Sequence, residues 1–149
     1  ELGYIGHCDD ITGVTSNEPV SAEVAMDFVT KTKIDALAVA VGTNHGAFKG
    51  TGGLNIARLA ELSQAVEVPL VLHGGSKLSR EDCRLVIDNG IAKINIATDM
   101  SLSAADRLRS ELAKSPSANY IHLMTSVKKG VKDLVRKYML NFDCISRAI

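Results

Sequence analysis

The sequence predicts an α/β fold in which helices cover a parallel sheet. Three observations point there: short apolar runs that read as strands buried on both faces, amphipathic segments between them, and polar, Gly-rich residues after each run. Residues 1–5 read as the end of an opening strand, and residues 22–30 as a helix with Val24, Ala25, Phe28 and Val29 on one stripe. A strand follows over residues 36–41. Ile56, Leu59, Leu62 and Val66 then mark a helix, residues 69–72 a strand, and Cys83, Val86 and Ile87 another helix. Ser79 and Asp82 have the spacing of a capping box at its start, and Gly90 follows its end. Residues 91–97 read as a strand and Leu102, Leu108 and Leu112 as a helix, while Ser115-Pro116-Ser117 is a linker. Residues 127–139 close the pattern as a helix with Val127, Val131, Leu134, Val135 and Tyr138 on its apolar side.

Strand-helix repeats of this kind imply right-handed crossovers, in either a doubly wound sheet or a (β/α)8 TIM barrel. Composition does not choose between them. In both, ligands sit beyond the C-terminal ends of the strands. A barrel has eight βα units and about 250 residues, so four units and a terminal helix over residues 1–149 amount to the C-terminal half of one barrel domain.

Composition narrows the function classes. The 149 residues are 46% hydrophobic and 23% charged, which is ordinary for a globular domain. Lys plus Arg and Asp plus Glu each number 17, so no net charge draws the surface to nucleic acid or anionic lipid. Cys8, Cys83 and Cys144 are odd in number and far apart, unlike a zinc knuckle or a disulfide scaffold. No apolar run approaches the roughly 20 residues of a membrane span, and no signal sequence opens the chain. A cytoplasmic protein that binds neither nucleic acid nor membrane is expected.

The chemistry gathers at the strand ends. The strand over residues 36–41 runs into Gly42-Thr43-Asn44-His45-Gly46, and the strand over residues 69–72 into His73-Gly74-Gly75-Ser76. The two His-Gly pairs are 28 residues apart, one βα repeat, which puts both imidazoles on neighbouring staves of one rim. Such a pair suits a borderline-soft cation such as zinc, given a third protein ligand and an open position. The glycines and the Ser76 hydroxyl make a nest for phosphate oxygens. The third strand ends in Lys93-Ile94-Asn95-Ile96-Ala97-Thr98-Asp99, with Asn95 directed inward near the rim. Barrels often bind phosphate after their last two strands, which is where these segments fall in a C-terminal half. The acidic loop through Asp9 and Asp10 reads from the residues alone as solvated surface, with a ligand or proton-transfer role as the alternative.

Taken together, Glu1-Leu2-Gly3, Gly42-Thr43-Asn44-His45-Gly46, Leu70-Val71-Leu72-His73-Gly74-Gly75-Ser76 and Lys93-Ile94-Asn95-Ile96-Ala97-Thr98-Asp99 resemble the class II aldolases, which include the fructose-bisphosphate and tagatose-bisphosphate enzymes. The resemblance covers essentially the whole chain and favours the barrel; the short connections look closer to the tagatose-bisphosphate branch. It implies that His45 and His73 ligate Zn2+, with Glu1 near the metal in an alternate position. It implies that Gly46, Lys49, Gly74, Gly75, Ser76, Ile96, Ala97 and Thr98 surround a substrate phosphate, helped by a monovalent cation, Na+ or K+. Asn95 would bind the substrate near the carbon that becomes nucleophilic, and Asp9 would fall on a mobile-loop carboxylate that transfers a proton.

The implied activity is a zinc-dependent lyase reaction of carbohydrate metabolism: reversible cleavage of a ketose 1,6-bisphosphate to dihydroxyacetone phosphate and an aldehyde. The alternatives are a related aldolase acting on another sugar phosphate and a non-catalytic aldolase-like subunit. Three departures from the family pattern stand out. His7-Cys8 precedes the acidic pair where relatives usually read Gly-Gly, Lys77 replaces a glycine after the phosphate-binding serine, and the family's first half, with its Asp-His pair, is absent. That pair supplies the third zinc ligand and the acid that protonates the departing aldehyde, so the chain alone is expected to be inactive or nearly so. A half-barrel exposes open strand edges. A barrel-completing N-terminal half, or self-association as a dimer or tetramer, is expected to cover them.

Overall fold

In the computed structural model, which describes Leu2 and residues 20–42, 53–76 and 78–145, the apolar runs become strands and the amphipathic segments helices. The chain divides into two compact units, Glu1–Ile96 and Ala97–Ile149.

In the first unit, α1 (Ala22–Thr32) starts where Ser21 Oγ accepts a hydrogen bond from the Val24 N–H at 3.2 Å. It ends at Lys33, which takes a left-handed conformation with φ 52°. Its buried stripe is narrower than predicted: Ala25 is fully buried and Phe28 and Val29 partly so, but Val24 is 53% exposed. Asn55 caps α2 (Ile56–Ala65) by accepting from the Arg58 N–H at 3.0 Å. Leu59, Leu62 and the capping Val66 turn inward as the spacing predicts. The capping box of α3 (Arg80–Asp88) is complete, Ser79 Oγ accepting from the Asp82 N–H at 3.0 Å and Asp82 Oδ2 from the Ser79 N–H at 3.2 Å. A cap of this kind contributes about 1 kcal/mol to the helix.

The strands are β1 (Leu37–Ala38), β2 (Leu70–Leu72) and β3 (Ile91–Ile94), in the order β1-β2-β3 and parallel throughout. β1 is shorter than the predicted 36–41, although the Val39 N–H still donates to the Val71 carbonyl at 3.4 Å. Leu2 forms a parallel bridge to Val39 on the far side of β1, where the opening strand was expected. The described residues thus form an open three-stranded sheet with one further bridge, without closing a barrel.

The two faces of this sheet differ. Leu37, Val39, Leu70 and Leu72 alternate onto one face and are all essentially inaccessible. Ala38, Val71, Lys93 and Asn95 alternate onto the other, following the register Ala38↔Val71 and Val71↔Lys93. Burying each leucine on the first face stabilises the fold by roughly 1.5–3 kcal/mol. That large apolar term fixes the register, because a slip of one residue would exchange the two faces.

The second unit consists of α4 (Thr98–Lys114) and α5 (Tyr120–Asn141), which pack on one another. α5 begins seven residues before the predicted 127–139, at an N-cap where Asn119 Oδ1 accepts from the His122 N–H at 3.0 Å. Gly130 lets α5 approach α4 closely: a Cβ there would lie 2.4 Å from Arg107 Cγ. Tyr138, 6% exposed, donates its hydroxyl hydrogen to Asp99 Oδ2. The predicted α4 stripe is only partly buried, since Leu102 is 44% exposed while Leu108 is half-buried. Among the described residues no helix is long and apolar enough to cross a membrane.

One contact between these helices is sensitive to pH. His122 Nε2 lies 3.3 Å from Glu111 Oε2, and this hydrogen bond, aided by Lys114, holds the Glu111 carboxyl below its ordinary value of 4.5. A carboxyl lowered on folding adds stability above its unfolded pKa and loses it as pH falls through the folded value. Replacing His122 with Ala should therefore destabilise the protein at neutral pH, with the deficit shrinking below about pH 4.5. Denaturant unfolding of both proteins across the acid range checks this; a deficit that grows as pH falls would contradict it.

Candidate functional site

The rim is built by a short continuation of the β2–β3 ladder. The Asn95 N–H donates to the Leu72 carbonyl at 2.9 Å, and the Asn95 carbonyl accepts from the Gly75 N–H at 3.3 Å. Both bonds belong to one residue and bracket His73-Gly74. The register Leu72↔Ile94, carried one step further, sets His73 beside Asn95 at the C-terminal ends of neighbouring parallel strands. An imidazole and a carboxamide thus share an edge of the sheet with Gly74, Gly75 and Ser76.

The two glycines serve different needs. Gly74 has φ 67°, in the left-handed region where a side chain costs roughly 1–2 kcal/mol. Gly75 is required for space: a Cβ there would lie 2.4 Å from Ile94 Cγ2, 3.0 Å from Ile96 Cδ1 and 3.3 Å from the Asn95 carbonyl oxygen. Its N–H, predicted as part of a phosphate nest, is committed to Asn95 and fastens the turn to β3. Ser76 is 2% exposed, a buried hydroxyl at the end of this turn.

On β3, the Lys93 ammonium donates to Asn95 Oδ1 at 2.7 Å. Sequence reasoning gave Lys93 no role. The available signal was its spacing two residues before Asn95, which places both on one strand face. Thr98 is the first residue of α4, and Ala97, its N-cap, forms no side-chain cap. Both belong to the second unit. His45, Gly46, Lys49, Glu1 and Asp9 lie outside the described residues. Among the described residues no group of three or more His, Cys, Asp and Glu side chains is placed to hold a metal; His73 is the one expected donor among them, and the other two, His45 and Glu1, lie outside the described residues.

A concavity of about 470 Å³ opens in the α4–α5 unit, lined by Asp99, Leu102, Ser103, Asp106, Arg107, Ser110 and Leu134. Its charges are answered locally: Asp106 pairs with Arg109 at 2.9 Å, and Arg107 faces Asp133 at 3.9 Å.

Known proteins resemble this chain in sequence and fold. A family model described as fructose-bisphosphate aldolase class-II matches residues 1–147. The D-tagatose-1,6-bisphosphate aldolase subunit GatY of Klebsiella oxytoca is 40% identical over 147 residues, 97% of this chain and 52% of that protein. The crystal structure of the YdjI aldolase from Escherichia coli K12 superposes with a TM-score of 0.73 at 32% identity, covering 87% of this chain and 46% of that one. A crystal structure from Coccidioides immitis superposes with a TM-score of 0.83 at 27% identity, over 97% of this chain and 51% of that one. The chain spans about half the length of the relatives it matches, and its α/β fold aligns to half of the aldolase TIM barrel.

The packing at Gly75 is directly testable. Gly75→Ala should lose about 1–3 kcal/mol of stability through overpacking against a β-branched side chain that has little freedom to move. The loss should be smaller in an Ile94→Ala background, where the nearest methyl is gone. Equal losses in both backgrounds, measured by denaturant unfolding, would show that Gly75 does not press on β3.

Proposed function

From the premise that this chain belongs to the class II fructose-bisphosphate aldolase family, we propose that it forms the C-terminal half of a zinc-dependent ketose-bisphosphate aldolase. The substrate is a ketose 1,6-bisphosphate of the tagatose or fructose type, cleaved reversibly to dihydroxyacetone phosphate and an aldehyde such as glyceraldehyde 3-phosphate. One observation carries the reading: His73 and Asn95 stand side by side at adjacent strand ends, above a Gly-Gly-Ser turn fastened to the same two strands. A metal donor, an amide and an anion-binding turn then converge within one substrate's length.

His73 and His45 would hold the zinc, with Glu1 able to approach it. Zinc bound there supplies Lewis-acid polarisation of a ketone carbonyl. The remaining chemistry belongs to the chain's own residues. Gly46, Lys49, Gly74 and Ser76 hold the phosphate, with Gly75 shaping the turn; the family resemblance adds Ile96, Ala97 and Thr98. A monovalent cation beside the phosphate would offset its charge. Asn95 donates its amide hydrogens to a substrate oxygen next to the carbon that becomes nucleophilic, and Asp9 moves a proton at that carbon. An acid for the departing aldehyde would come from the barrel-completing half, which also covers the open strand edges.

The second reading, a non-catalytic subunit, draws on the word "subunit" in the name of the Klebsiella oxytoca relative. Zinc content and retro-aldol turnover separate the two. In the full-length protein, the aldolase reading expects stoichiometric zinc, turnover of tagatose or fructose 1,6-bisphosphate that chelation abolishes and zinc restores, and a loss of about a thousandfold or more in His73→Ala. The 149-residue chain alone should show no turnover. A full-length protein that stays free of zinc after it is supplied and turns over neither sugar would refute the aldolase reading and favour the helper subunit.

A further inference from the structure

We propose that Lys93 is a positioning residue that fixes the Asn95 carboxamide as a hydrogen-bond donor toward the ligand; for its ligand the proposal rests on the aldolase reading. An ammonium group has three donors and no acceptor, so the amide atom facing it at 2.7 Å is the oxygen. The Asn95 NH2 is thereby turned away from Lys93. Without such a partner an amide at a strand end can rotate by half a turn and offer either its oxygen or its nitrogen at similar cost. With it, one orientation is selected.

Two features make this selection effective. The Asn95 backbone is held on both sides, its N–H by Leu72 and its carbonyl by Gly75, so the side chain leaves β3 from a fixed origin. Lys93 and Asn95 share a strand face by their spacing of two, and Asn95 stands beside His73. A charge-assisted bond is stronger than a neutral one and polarises the amide it reaches, making its N–H groups better donors. The rim therefore offers an aligned donor at the reacting end of the substrate, where the electron pair released by carbon–carbon cleavage passes from the carbon next to the ketone onto the ketone oxygen.

The test uses the full-length protein labelled with 15N, with dihydroxyacetone phosphate as the probe. The side-chain NH2 signals of Asn95 are identified by their loss in Asn95→Ala. The probe should shift these signals in the unsubstituted protein; the shift should persist in Lys93→Arg and disappear in Lys93→Met. In parallel, kcat should fall about tenfold in Lys93→Met with KM changed by less than about twofold, and Lys93→Met should add no further loss to Asn95→Ala. Should Lys93→Met not fold, Lys93→Gln replaces it, with a partial loss of shift and kcat expected because the donor stays and the charge goes. An unaltered shift in Lys93→Met, no shift in the unsubstituted protein, or an equal kcat loss with and without Asn95 overturns the proposal. A Lys93-dependent shift in a protein without turnover overturns the aldolase reading and leaves the positioning role standing.

Discussion

Two backbone hydrogen bonds made by Asn95 organise the rim. One residue donates to Leu72 and accepts from Gly75, closing a short frame around His73 and Gly74. The consequences follow from position. The imidazole and the carboxamide are set on neighbouring strands at a fixed separation, and the Gly-Gly-Ser turn can leave β2 in only one direction. Gly75 is needed because the turn crosses Ile94 and Ile96 at a distance no side chain allows. A positive φ at Gly74 completes the bend and brings Ser76 into the interior.

Behind the frame stands the asymmetry of the sheet. Leucine and valine on one face bury nearly all their surface and specify the register, while the other face carries Ala38, Val71, Lys93 and Asn95. The second face is apolar and buried at Ala38 and Val71 and turns polar only at Lys93 and Asn95 on β3 and just beyond it. A lysine and an asparagine on the leucine face would need compensating partners for each buried polar group. On the second face the Lys93 ammonium is answered by Asn95 Oδ1.

Much of this was legible in the sequence because the signals were local. Ser79 with Asp82 announced α3 by its capping box, and the apolar runs marked β2 and β3; Ser21 and Asn55 cap α1 and α2 by the same chemistry, a signal the apolar pattern alone did not use. The start of α5 was missed for a physical reason: Tyr120 and Ile121 are each 74% exposed, so the first turn does not continue the buried stripe that fixes the later turns. Asn119 carried the right signal, as a cap, but not in the apolar pattern. Val24 and Val135 were expected to face inward from spacing alone, and both lie on the margin of a stripe where a small rotation decides exposure. At the site, the sequence named His73, Gly74, Gly75, Ser76 and Asn95 as neighbours. It did not show that the Gly75 N–H is spent on Asn95 or that Lys93 turns the amide, since both depend on contacts across or along strands whose geometry the sequence only implies.

The frame itself is open to direct observation. Amide hydrogen exchange in the full-length protein reports whether the Asn95 N–H is bonded to Leu72, because a strand amide opens only with larger parts of the fold. The Asn95 amide should exchange about a thousandfold more slowly than an unstructured amide and in step with those of β2 and β3, although it lies just past the last strand residue. Exchange at the rate of an open loop would mean that His73 and Asn95 are not held together, and the account of this rim as a pre-built ligand site would fail.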